Sequence, residues 1–396
     1  MIIFVLSGGM LAFSAAVSAQ GRLETLAGNG SIMLSSPSGE VLTSINPDAS
    51  LIPASLVKIP LAQVALTTLG EDFRFETHFF TNDSQDLLIR GLGDPFLVSE
   101  EIASIADILA GQGLRQVRRL VMDGSAFEAN LDLPDESNSD QPYGATNSAL
   151  AANFNTVNLD WTDAGEPISA EPQTPLTPLA RELAAGLSPG AAQRINLGSD
   201  PRSGLLQVQQ LFLYFLEQSG IAVRDTEFYR EELSGEWKLF YQHSNSQSLL
   251  EILQGLLRYS NNFIANQLFL VIGAQSHAYP ASTEEARTAL RLQLAELYGD
   301  GFGSDPQTLL MLEGSGLSRE QRSTAAALMH ILDVFKPHAD LLPEINGVLR
   351  KSGTLTGVYN FAGYLRGDDG LYPFVILTNQ AANNRDEILR LLQQRL

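Results

Sequence analysis

The chain has 396 residues, 44% of them hydrophobic, which is enough for one large core or two smaller ones. Its formal net charge is −20 and it holds no basic stripe, so nucleic acid is not expected as a partner. Cysteine is absent, which excludes disulfides, thiolate metal sites and cysteine nucleophiles together.

The first twenty residues, MIIFVLSGGMLAFSAAVSAQ, are almost all apolar or small and end in a small-x-small pattern, Val17-Ser18-Ala19. They read as a signal peptide over 1–19, cut before Gln20, although no Lys or Arg precedes the apolar run. No later run is long and apolar enough to span a bilayer, so no integral membrane span is expected in the mature chain. Residues 31–46 read as a hairpin around Pro-Ser-Gly, and apolar spacing predicts a helix from Ser55 to Leu69. From about residue 75 the texture changes. Short strand candidates follow (FETHFF, LLIRG, VRRLVMDG), and Pro134 to Pro178 is polar and punctuated by proline. One strongly apolar helix, GLLQVQQLFLYFLEQSG, lies near the end of this region. After about Trp237 helices return. Ser248 and Glu251 form a capping box for a helix to about Tyr259, and 262–275 form another. Ser318 with Gln321 predicts a cap for a helix through Val334. Strands GVLRKSG, VYNFAGYL and YPFVILTN and an amphipathic helix, RDEILRLLQQRL, close the chain. This organisation predicts one domain from 20–74 and 238–396, with 75–237 inserted into it.

The five histidines are scattered and form no HExxH, so no metal or other cofactor is expected. No GxSxG elbow occurs either, so a hydrolytic base would not be histidine. Only four of the 25 basic residues are lysines. One of them, Lys58, stands three residues after Ser55 at the start of a predicted helix, on the same face. A serine hydroxyl needs a base to become a nucleophile. Lysine serves as that base when burial or a nearby cation lowers its pKa, whereas arginine cannot release its proton. The helix start adds N–H groups that can hold an oxyanion. Alone, Ser-x-x-Lys is a weak signal, since Ser55 could be a plain N-cap and Lys58 a solvated side chain.

Two further elements strengthen it. Ser260-Asn261-Asn262 sits where two predicted helices meet, and Lys351-Ser352-Gly353 sits on a predicted strand ahead of Thr354. S-x-x-K, S-D-N and K-T-G in this order are the signature of penicillin-binding proteins and β-lactamases. In that scheme Lys351 is a fixed cation that attracts a substrate carboxylate and lowers the pKa of Lys58. Ser352 and Thr354 offer it hydroxyls. Gly353 lets the substrate backbone approach. The N–H groups of Ser55 and Thr354 form the oxyanion hole, Ser260 relays a proton to the leaving amine, and Asn262 holds the substrate amide. A second register, Tyr259-x-Asn261, stays open beside Ser260-x-Asn262.

Longer strings carry a family resemblance. PASLVKIPLAQVALTTLG, GLGDPFL, VMDGSAFE, SALAANFNTVNL, SNNFIANQLF, EGSGLSR and KSGTLTGVYNFAGYL together resemble D-alanyl-D-alanine carboxypeptidase/endopeptidases of the penicillin-binding protein 4 (DacB) type, peptidase family S13. The resemblance covers nearly the whole mature chain, departing at Asn261 for Asp and Ser352 for Thr. It implies an α+β chain with the serine β-lactamase/DD-transpeptidase-like fold: an antiparallel sheet flanked by helices, an all-helical lobe and a large inserted domain. It implies a periplasmic enzyme in which Ser55 attacks D-Ala-D-Ala termini or D-Ala cross-links of peptidoglycan stem peptides, with β-lactams as covalent inhibitors. The competing expectations are a serine β-lactamase, or an inactive wall-binding scaffold on the same fold. The string nearest the deacylating Glu motif of class A β-lactamases is Glu128–Asp132, which precedes the second motif instead of following it.

Overall fold

The computed structural model describes residues 20–133, 141–198, 200–229 and 236–396. The expected signal peptide and the first seven residues of the polar stretch, 134–140, lie outside them. The chain divides into two compact units. One holds the residues up to Gln63, Arg291–Leu312 and Gly316–Leu396, and the other holds Val64–Leu290 and Glu313–Ser315. Among the described residues no helix is long and apolar enough to cross a membrane.

The first unit is built on a six-stranded sheet, antiparallel throughout. Its strands, in spatial order, are Glu344–Ile345, Val348–Leu355, Val358–Gly367, Gly370–Leu377, Ser31–Ser35 and Val41–Ile45. Each was expected from the sequence except the two-residue edge strand Glu344–Ile345. The hairpin joining Leu355 to Val358 turns through Thr356 and Gly357, whose φ of +76° suits glycine. Phe361, Phe374, Ile376, Ile32 and Leu34 pack with Ile388, Leu389 and Leu392 of the helix Arg385–Gln393. Acidic Asp386 and Glu387 begin that helix and Arg390 ends it, matching its dipole. The strand Glu344–Ile345 is short and pairs only with Val348 and Leu349, so Lys351–Leu355 forms an edge on that side.

Near residue 320 the structure departs from the helix expected to start at Ser318. Ser318 caps no helix; its hydroxyl accepts the Glu320 N–H in a turn. Arg322–Ser323 then pairs with Leu309–Leu310, and the helix begins at Ala325 with Thr324 as its cap, Oγ1 accepting the Ala327 N–H at 3.1 Å. The Ser-x-x-Gln pattern satisfies a turn as well as a helix start, and strand pairing decides between them.

In the second unit a five-stranded mixed sheet runs Lys238–Ser244, Glu76–Thr81, Leu87–Gly91, Gln116–Asp123 and Ala222–Tyr229. The last two pairings are parallel. Parallel pairs need crossovers, supplied here by helices Ser99–Gly111 and Pro201–Gln218, whose Ile102, Ile105, Leu109, Val208 and Phe212 bury against the sheet. Sequence reading did not single out the first of these helices. It also placed the return of helices at Trp237, one strand too early. Helices Leu249–Tyr259 and Asn262–Ser276 follow as expected, the first with its complete Ser248–Glu251 capping box.

Several family strings turn out to be locks within this unit. Asp94 of GLGDPFL accepts hydrogen bonds from Asn245 and from the Phe96 N–H. Asp123 of VMDGSAFE pairs with Arg90 at 2.6 Å and accepts the Ser125 N–H. In SALAANFNTVNL three successive residues, Asn153, Phe154 and Asn155, take left-handed conformations. The Asn153 side chain ties that turn to Ser99, and Asn155 donates to the Thr146 carbonyl.

Candidate active site

In the first unit Ala54–Val57 forms a single 3₁₀ turn that leads into the helix Lys58–Leu69. Ser55 and Lys58 fall on one side of it. Lys58 Nζ lies 3.0 Å from Ser55 Oγ, and the lysine is fully buried.

The turn is held under strain. Ala54 has φ +50°, a left-handed conformation that costs a residue with a Cβ on the order of 1 kcal/mol. Two asparagines fix it. Asn360, fully buried in the strand Val358–Gly367, donates to the carbonyls of Ile52 and Pro53 at 2.9 and 3.0 Å and accepts the Thr378 N–H. Asn379 accepts the Ile52 N–H at 2.7 Å and donates to its carbonyl. Sequence reading missed both. The available signal was an amide inside the otherwise apolar run VYNFAGYL, because a polar side chain there must be serving a backbone group.

Glycines let neighbouring segments close on the turn. A Cβ on Gly353 would stand 2.5 Å from the Pro53 carbonyl oxygen. One on Gly316 of EGSGLSR, at φ +86°, would stand 2.3 Å from the Ala54 oxygen and 2.8 Å from the Ser55 nitrogen. Gly353 therefore brings the Lys351 strand against the Ser55 turn, a structural need beside the role in substrate approach expected from the sequence.

Along that strand side chains alternate. Lys351 and Gly353 are buried, while Ser352 is half-buried and Thr354 exposed. Lys351 Nζ donates to the Ser352 carbonyl at 2.9 Å, and burial pulls the lysine down to about 7. Near neutral pH it exists in both protonation states, so an arriving anion would shift it toward the cation.

The D-Ala-D-Ala carboxypeptidase 3 (S13) family model matches residues 14–181 and 185–346, most of the chain. The chain belongs to this family. The matched spans include Ser55, Lys58, Ser260 and Asn262 and end just before Lys351. A D-alanyl-D-alanine carboxypeptidase of Actinomadura sp. strain R39 is 28% identical over 89% of this chain and 77% of its own length. The D-alanyl-D-alanine carboxypeptidase DacB of Haemophilus influenzae is 22% identical over 82% of this chain and 80% of its own. The crystal structure of penicillin-binding protein 4 (dacB) from H. influenzae superposes with a TM-score of 0.73 at 18% identity, covering 95% of this chain and 98% of that one. A penicillin G-acylated predatory endopeptidase of Bdellovibrio bacteriovorus gives a TM-score of 0.50 at 15% identity, covering 92% and 89%. The fold is thus the one expected.

Ser260-Asn261-Asn262, the candidate second motif, lies in the other unit. Ser260 closes the helix Leu249–Tyr259 in a left-handed conformation, φ +56°. Asn261 caps the next helix, its Oδ1 accepting the Ile264 N–H at 3.0 Å. Asn262 donates to the Tyr143 carbonyl at 3.2 Å. Tyr259 is 74% exposed.

Proposed function

We propose that this chain is a periplasmic serine DD-peptidase that hydrolyses the D-Ala-D-Ala terminus and D-Ala cross-links of peptidoglycan stem peptides. The observation that carries the reading is the 3.0 Å approach of a fully buried Lys58 amine to the Ser55 hydroxyl in a chain of the S13 family. Neutral Lys58 takes the hydroxyl proton as Ser55 Oγ bonds to the carbonyl carbon of the penultimate D-Ala. The N–H groups of Ser55 and Thr354 hold the resulting oxyanion. Its collapse breaks the C–N bond, the proton returns to the leaving amine, and an acyl-enzyme remains for water to hydrolyse. Lys351, Ser352 and Thr354 receive the substrate's terminal carboxylate, and Gly353 lets its backbone draw close.

Ser260 as proton relay and Asn262 as holder of the substrate amide rest on the motif in the sequence. Tyr259 is turned outward, 74% exposed, which favours Ser260-x-Asn262 over the other register. A β-lactam presents a strained amide and a carboxylate in the same relation, so it would acylate Ser55. A relative acylated by penicillin G supports this.

The test is incubation with a fluorescent penicillin followed by intact mass, with Ser55→Ala alongside. A stable adduct on the wild type alone is expected. Destruction of the lactam without an adduct would make the protein a β-lactamase. An intact lactam with no adduct would overturn the enzymatic reading and leave a scaffold.

A further inference from the structure

The face of the sheet that carries Ser352 and Thr354 holds a second cationic arrangement outside the three motifs. Arg385, at the start of the C-terminal helix, donates from Nη1 to Thr354 Oγ1 at 2.7 Å. Its guanidinium lies 4.5 Å from the centre of the Phe361 ring, and the guanidinium of Arg350 lies 4.3 Å from the same centre. Phe361 is the cross-strand partner of Ser352. Two arginines thus share one aromatic ring beside the two hydroxyls of the third motif.

We propose that Arg385 is a positioning residue of this site, which sets Thr354 as a hydroxyl donor toward the substrate's terminal carboxylate and keeps a permanent positive charge beside it. The proposal rests on the DD-peptidase reading. A guanidinium has only donors. Thr354 Oγ1 must therefore accept from Arg385, which leaves the threonine's own proton to be given elsewhere. Thr354 is exposed, so that proton is available to an incoming carboxylate. The arrangement is costly to keep for stability alone. The Nε atoms of Arg350 and Arg385 are both buried without a hydrogen-bond partner. Burial lowers both guanidiniums from their usual range, and the neighbouring Arg385 lowers Arg350 further. Asp386 offsets this for both, and Tyr359 for Arg385. Both remain charged at neutral pH. Lys351, by contrast, is pulled to about 7 and loses charge as pH rises, so Arg385 becomes the cation that persists.

The experiment compares two substrates, a peptide ending in D-Ala-D-Ala and the same peptide ending in D-Ala-D-alaninamide, by the ratio of their kcat/KM values. This ratio cancels every group both substrates use, Lys58 included. In Arg385→Gln the acid-to-amide ratio should fall roughly tenfold, as for one lost charge-assisted interaction. The fall should deepen from pH 6 to pH 9 as Lys351 discharges, and Arg385→Lys should recover part of it. An equal slowing of both substrates, or a ratio with the wild-type pH dependence, overturns the proposal. Penicillin labelling separates the two readings. If the wild type labels at Ser55 but the ratio is unmoved in Arg385→Gln, this proposal alone fails. If the wild type neither labels nor hydrolyses, the functional reading falls and this proposal with it.

Discussion

Glu101 in the second unit and Lys351 in the first are both buried, with opposite outcomes. In the second unit Glu101, His243 and Asn245 answer one another. His243 Nε2 lies 2.8 Å from Glu101 Oε2, Tyr241 stands against His243 Nδ1, Ser246 donates to Glu101, and Asn245 donates to Asp94. Burial pushes Glu101 up, but hydrogen bonds from His243 and Ser246 outweigh it and hold the carboxyl below its usual range. In the first unit Lys351 is buried and burial governs it, pulling it to about 7. A charge stabilised by its neighbours ties strands and helices together, whereas a lysine lowered toward neutrality by desolvation can change its charge when its surroundings change. Burial alone does not mark a functional group: Asp94, locked by Asn245 and the Phe96 N–H, is itself pushed up to about 6 by burial, so the partners count as much as the shift.

The comparison breaks if substitutions in the two clusters behave alike. Lys58→Ala should lower penicillin acylation roughly a thousandfold, the scale of a lost general base, while the protein stays folded by circular dichroism. Glu101→Ala should do the reverse. It leaves His243 buried without its hydrogen-bond partner, a loss of about 1–3 kcal/mol in chemical denaturation, with acylation of the folded fraction unchanged. An acylation defect in folded Glu101→Ala would erase the distinction.

Lys351 sharpens it through pH. Its folded pKa, about 7, is below the ordinary 10.5, so between these values the unfolded chain holds more protons. Its contribution to stability therefore rises with pH from about 7 toward 10.5, and below 7 the full cost of the buried cation persists. Denaturation midpoints of the wild type relative to Lys351→Met should show this slope; a flat difference would mean that the lysine stays charged throughout. The smallest effect is expected at Thr324, where loss of the helix cap in Thr324→Ala should cost about 1 kcal/mol and leave acylation untouched. The same loss in Ser318→Ala would restore Ser318 as the cap.

Much of the first unit was legible because an antiparallel sheet with one face on a helix alternates its side chains, as Val348–Leu355 does. Ser55, Lys58 and Lys351 stood out as candidates because the proposed chemistry restricts the residue types and the chain has so few lysines. The second unit was harder. Leu87–Gly91 is almost wholly buried, so its run shows no period, and the helix Ser99–Gly111 that covers the sheet was overlooked beside it.

By itself, then, the sequence determined the family, most of the strands of the first unit and a short list of candidate site residues, since these depend on local pattern and on residue identity. Tertiary structure decided what depends on distant segments meeting. Asn360 and Asn379 hold a turn more than three hundred positions away in the chain. Gly316 and Gly353 are needed because two other segments press on Ala54 and Pro53. Arg385 reaches Thr354 only because the last helix packs on the sheet. Such contacts follow from packing, which no single stretch of sequence encodes.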